Sequence, residues 1–219
     1  MQATGSGFAR WLAALVVALL LAACADSEPQ ASDPSEQDGL RGVALDEPVD
    51  KPDMDLVDAA GKRWSLREET DGYLAFVFFG YTSCPDICPV HMANLSAVFD
   101  RLPSPTTNRV KVVFVSTDPA RDTPERMAEF MASFDSEFVG VTGDLDEIEA
   151  GMEQLGLPPP VHEEPDEDGF YEVGHPAQVL AFLPDDDRAH YAYPWGMRQQ
   201  DFAHDIGELL DRAAAEREG

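Results

Sequence analysis

Cysteine is scarce in this chain and basic residues are few. Its 219 residues include only three cysteines, and 15 lysines and arginines stand against 42 aspartates and glutamates, a formal charge of −27. So few cysteines exclude a domain stapled by several bridges. The acidic excess excludes a nucleic-acid partner, whose phosphates would be repelled rather than neutralised. Acidic blocks at Asp144–Glu149, Glu163–Asp168 and Asp185–Asp187 read as solvated surface, and no site residues are assigned to them. No internal repeat is visible. No apolar run reaches the roughly 20 residues that a membrane-spanning helix needs.

What is present begins with the run from Trp11 to Ala23, which follows Arg10 and has the length of a signal-peptide core. It ends in Leu21-Ala22-Ala23-Cys24. That tetrapeptide resembles a bacterial lipobox, in which small residues allow cleavage before a cysteine whose sulfur carries a diacylglycerol. The expectation is a lipoprotein signal peptide over 1–23 and a lipidated Cys24 on the extracytoplasmic, periplasm-facing side of a bacterial membrane. From Ala25 to about Ala44 serine, aspartate, glutamate, proline and glutamine dominate, with Leu40 and Val43 as the large apolar exceptions. Residues 24–45 therefore read as a lipidated cysteine and flexible acidic tether, and 46–219 as the folded domain. With Cys24 acylated, Cys84 and Cys88 are left as two thiols in an oxidising compartment.

Within the domain, Met54–Val57, the turn Asp58–Gly61 and Arg63–Leu66 predict an N-terminal hairpin. The continuous apolar runs Tyr73–Phe79 and Val110–Val115 predict strands buried on both faces. Phe138–Val141 and Gln178–Leu183 are further strand candidates. Helices are expected after the cysteines (Leu95, Val98, Phe99 and Leu102 at helical spacing), from Pro124, from Asp144 and over Phe202–Ala215. Strands alternating with helices predict an α/β fold with a mostly parallel central sheet flanked by helices.

The stretch "GYTSCPDICPVHM", Gly80–Met92, follows the first buried strand. Pro89 suits a first helical position, which puts Cys88 near the N-cap and both sulfurs at the positive end of a helix, where thiolate is favoured. This strand–dithiol–helix order is that of thioredoxin-like folds. Thioredoxins, however, use C-x-x-C, and here Pro85, Asp86 and Ile87 intervene. The added residue lets the sulfurs separate enough to chelate one ion while still permitting a Cys84–Cys88 redox disulfide. Two thiolates suit Cu(I), and a nitrogen donor extends such a site toward Cu(II).

"FFGYTSCPDICP" resembles the signature of the Sco/SenC proteins, membrane-anchored thioredoxin-fold copper proteins that help assemble the dinuclear copper centre of cytochrome c oxidase. The resemblance continues through "VSTDPARDTPERM" (Val115–Met127), "GFYEVGHPAQVLAFLPDDD" (Gly169–Asp187) and "YPWGM" (Tyr193–Met197), and covers roughly residues 46 to 212 in order. It implies copper ligands at Cys84, Cys88 and His175. It also implies copper delivery to subunit II of the oxidase, with a thiol reductase or another copper donor as further partners. The family usually has aspartate before the histidine and serine or threonine after it. This chain has Gly174 and Pro176 there.

Other residues read more plainly. His91, early in the helix after Cys88, is the rival nitrogen donor, ranked below His175. His162, His190 and His204 read as surface residues. Asp118 and Pro119 end a strand and read as a turn, and Met92 and Met197 as packing. Proline at 176 suggests a cis bond before the strand beside the dithiol, aiming His175 at the sulfurs. The expected function is copper carriage rather than catalysis. Rivals are a thiol-disulfide reductase, which would spare His175, and a redox or copper sensor. A thiol peroxidase is disfavoured, since no separate resolving cysteine remains.

Overall fold

A computed structural model describes residues 39–218. Cys24, the signal-peptide segment and most of the tether lie outside the described residues. The chain order is β1 (Val43–Asp50), β2 (Asp55–Asp58), β3 (Arg63–Ser65), α1 (Leu66–Glu69), β4 (Leu74–Gly80), α2 (Ile87–Phe99), α3 (Ser104–Thr107) and β5 (Val110–Ser116). It continues with α4 (Pro124–Met131), β6 (Val139–Gly143), α5 (Leu145–Gln154), β7 (Val161–His162), β8 (Val173–Gly174), β9 (Val179–Phe182), β10 (Arg188–Tyr193) and α6 (Gln199–Glu218).

Eight strands form one sheet in the order β1-β10-β9-β4-β5-β6-β2-β3, and β7 pairs with β8 apart from it. The sheet is mixed, which corrects the expectation of a mostly parallel one. Only β4–β5 and β5–β6 are parallel; β9 joins β4 antiparallel, and β10, β1, β2 and β3 extend the edges antiparallel. The reason lies in the connections. Parallel neighbours need a crossover, supplied by α2 and α4, whereas short turns join β2 to β3 and β9 to β10.

Alternation along β4 explains why its sequence is apolar throughout. Leu74, Phe76 and Phe78 point to a core built with α2, α4 and α6, through Met92, Leu95, Val98, Met127, Phe202 and Ile206. Ala75, Val77 and Phe79 point to the opposite core, where Met54, Leu56, Trp64, Ile148 and Met152 meet them. A strand covered on both faces has no polar side to show. Local signals close the helices: Thr123 accepts from the Arg126 N–H with Pro124 in the first turn of α4, and Asp144 accepts from the Asp146 N–H at the start of α5.

The expected hairpin forms as β2–β3. β1, by contrast, starts within the segment read as tether. Leu40 is buried, and the N–H groups of Arg41 and Gly42 donate to the buried Asp205 carboxylate of α6 at 2.8–3.0 Å, which also accepts from the Tyr193 hydroxyl at 3.0 Å. Among the described residues, no helix is long and apolar enough to cross a membrane.

Candidate metal centre

β4 delivers the chain to Gly80, and the loop from Tyr81 to Asp86 leads into α2. The helix starts at Ile87, so Cys88 lies inside its first turn and Pro89 behind it, rather than Pro89 opening the helix. Proline is tolerated there because the first N–H groups of a helix have no intrahelical partner. Asp86, at the N-cap, makes no side-chain cap bond. The vacant role falls to sulfur: the Cys88 N–H points at Cys84 Sγ, 3.4 Å away.

The pair is asymmetric. Cys84 is half-buried, Cys88 fully buried, and both are free thiols. Hydrogen bonding, first from the Cys88 side chain and then from the Cys88 and Asp86 backbone, holds the Cys84 thiol well below the ordinary thiol range against the opposing effect of burial. Burial, followed by the neighbouring Cys84 sulfur, pushes Cys88 up. The shared proton of the reduced pair is therefore favoured on Cys88 over Cys84.

His175 arrives between β8 and β9. Its Nε2 stands 3.4 Å from Cys88 Sγ, and its Nδ1 lies 3.0 Å from the Pro176 carbonyl. A carbonyl only accepts, so Nδ1 carries the proton and Nε2 presents its lone pair to the sulfurs. The rings of Phe78 and Tyr81 flank the imidazole, centroids 5.8 and 5.6 Å away. The donor atoms of Cys84, Cys88 and His175 all lie within 4.8 Å of one another. Among the described residues, no cis peptide occurs. The bond before Pro176 is trans, and the expected cis geometry is corrected: the Nδ1 hydrogen bond orients the ring instead.

His91, the rival donor, is outside the cluster. It is 2% exposed, and its Nε2 meets the Ala177 carbonyl at 2.8 Å. His162 is exposed and 3.8 Å from Asp118, His190 pairs with Asp186, and His204 lies beside Asp205. Met92 is in the core and Met197 packs against it.

The supports of the loop are what sequence reasoning missed. Asp122, fully buried, accepts from the Thr82 N–H at 3.1 Å, the Thr82 hydroxyl at 2.6 Å and the Ser116 hydroxyl at 2.7 Å. Burial still pushes its carboxyl up. Asp118 does more than turn the chain: it pairs with Arg121 and accepts from the Tyr171 hydroxyl at 2.9 Å. The Arg121 guanidinium lies 3.5 Å from the Tyr171 ring centroid and donates to the Tyr171 carbonyl at 3.0 Å. These residues stand in the quoted motifs, but sequence alone does not say who meets whom.

A buried strand, a helix-start dithiol and a histidine brought in from the neighbouring strand define a thioredoxin-like fold that gathers two sulfurs and an imidazole. The SCO1/SenC family pattern matches residues 46–211. A Stutzerimonas stutzeri protein named for copper binding is 33% identical over 146 residues, covering 65% of this chain and 69% of that protein. The mitochondrial SCO2 homolog of Danio rerio is 34% identical over 150 residues, covering 67% of this chain and 50% of its own length. The copper-bound structure of Bradyrhizobium japonicum ScoI aligns with TM-score 0.64 at 28% identity, covering 73% of this chain and 99% of that one. The chain belongs to the SCO1/SenC family.

Proposed function

We propose that this chain is a lipid-anchored, extracytoplasmic copper carrier. It takes up one copper ion at Cys84, Cys88 and His175 and passes it to the dinuclear copper site in subunit II of cytochrome c oxidase. The observation that carries the reading is the convergence of the three donor atoms within 4.8 Å. Two soft sulfurs and one imidazole fit copper in both of its common oxidation states. Copper is cargo here, so transfer is ligand exchange and not catalytic turnover. Cys84 is the sulfur suited to leave first. It is the half-exposed one, and the Cys88 N–H stands ready to receive its thiolate.

A second reading rests on the asymmetry of the same pair. A half-exposed thiolate beside a buried thiol suits disulfide exchange. Cys84 attacks the acceptor's disulfide and displaces one thiolate. Cys88 then attacks the mixed disulfide, its proton passing to the departing sulfur, which releases the second thiol and leaves a Cys84–Cys88 disulfide for a thiol reductase to reopen.

Anaerobic copper titration of the reduced protein separates the two. The carrier takes up one equivalent. Cys84→Ser or Cys88→Ser abolishes tight binding because a hydroxyl does not replace a thiolate, while His175→Ala impairs chiefly the Cu(II) state. In cells all three variants lose oxidase assembly. A reduced protein that takes up no copper yet reduces the acceptor's disulfide, with His175→Ala fully active, is the reductase.

A further inference from the structure

The segment that carries His175 has few attachments. β8 ends at Gly174 and β9 starts at Val179. Among the described residues, no backbone–backbone hydrogen bond outside the helices and strands involves 175–178. Gly174 has no side chain to lend, and Pro176 has no N–H. Two histidine nitrogens reach carbonyls of the segment. The bond from His175 Nδ1 to the Pro176 carbonyl lies within it and orients only the ring. The bond at the Ala177 carbonyl comes from His91 Nε2, 2.8 Å away, on the helix whose first turn holds Cys88.

His91 is fixed in its turn. Its ring packs between Phe78 and Trp195, with centroids 4.9 and 5.0 Å away. Phe78 also lies against His175. Because the Ala177 carbonyl only accepts, His91 must present an Nε2–H to it. We propose that His91 is the positioning residue of the metal centre. Its Nε2–H, donated to the Ala177 carbonyl, ties the His175 segment to the dithiol helix and sets how His175 Nε2 faces the two sulfurs. This inference rests on His175 being a copper ligand. Imidazole matters more to Cu(II) than to Cu(I), so the effect of His91 falls on the Cu(II) state.

Long-range proton–nitrogen NMR of the metal-free wild-type protein tests the hydrogen bond without any variant. The expected result is His91 in the Nε2–H tautomer and His175 in the Nδ1–H tautomer; an Nδ1–H His91 with bare Nε2 overturns the proposal. His91→Phe keeps a ring but loses the donor, whereas His91→Gln places an amide NH₂ at the same number of bonds from Cα. Loss of such an outer partner weakens binding at least tenfold in typical metal sites, so His91→Phe is expected to lower Cu(II) affinity about tenfold and shift the Cu(II)–thiolate absorption. His91→Gln restores both, and Cu(I) uptake changes little. In a His175→Ala background His91→Phe adds no further loss. Wild-type Cu(II) affinity and spectrum in His91→Phe, or an equal loss without His175, sinks the inference. If wild-type protein takes up no copper, the carrier reading fails instead, and the tautomer still reports on His91.

Discussion

Cys84 and Cys88 share a side chain and a helix end, yet their environments drive them in opposite directions. Cys84 has a lowered native pKa, so below the ordinary thiol value of about 8.5 the unfolded chain holds the extra proton and stability rises with pH. That contribution is lost as pH falls through the lowered native value. Cys88 has a raised native pKa, so above about 8.5 the unfolded chain sheds a proton that the native state keeps, and stability falls. Thermal unfolding of the reduced, metal-free protein across pH 6 to 10 is therefore expected to show a maximum near pH 8.5, roughly the unperturbed thiol value. Cys84→Ser should flatten the rising limb; a rise that persists in this variant contradicts the assignment. Gly80 is the other residue on which the pair depends. A Cβ there would meet Cys88 Sγ at 2.5 Å and the Phe114 ring at 3.0 Å. Gly80→Ala is expected to cost about 1–3 kcal/mol by overpacking and to weaken copper uptake, read by denaturant midpoint and copper competition. Unchanged values would mean that the sulfur can shift freely.

At the scale of elements, the β7–β8 pair matters because the chain runs from it directly into His175. Asp118 and Arg121, in the loop between β5 and α4, hold it through Tyr171. Tyr171→Phe leaves the buried Asp118 short of a donor, at an expected cost of about 1–3 kcal/mol. Arg121→Ala removes the charge partner of a fully buried carboxylate and should cost about 3 kcal/mol or more. Hydrogen exchange over 161–174 should speed in both, and more in Arg121→Ala; protection equal to wild type would show that other packing holds the pair. The same scale shows which elements a sequence displays. β4 and β5 are legible because both faces are buried, and α4 and α5 because Thr123, Pro124 and Asp144 mark their starts. β1 is not, since "VALDEPVD" lies at a sheet edge with almost no buried face and hence no period. β10 likewise mixes exposed and buried residues without clean alternation.

For the whole molecule, the charge of −27 and the lipobox-like tetrapeptide ending in Cys24 bear on where we propose it works. If Cys24 carries the anchor, intact mass should show a diacylglycerol, and Cys24→Ser should leave the membrane fraction with altered processing. Cys24→Ser protein retained in the membrane and processed as before would exclude the anchor. The sequence alone determined the class of molecule: a strand–dithiol–helix motif, buried central strands, too few cysteines for a scaffold, and a family resemblance that named Cys84, Cys88 and His175. Those features are local, because spacing, capping and apolar runs act over a few residues. The mixed sheet, the Cys84 sulfur that receives the Cys88 N–H, the burial of Cys88 and the turn of His91 toward the Ala177 carbonyl all come from packing in three dimensions. Each of these depends on which distant groups share a small volume: burial and partner distance set protonation and hydrogen bonding, and neither is written in the order of the residues.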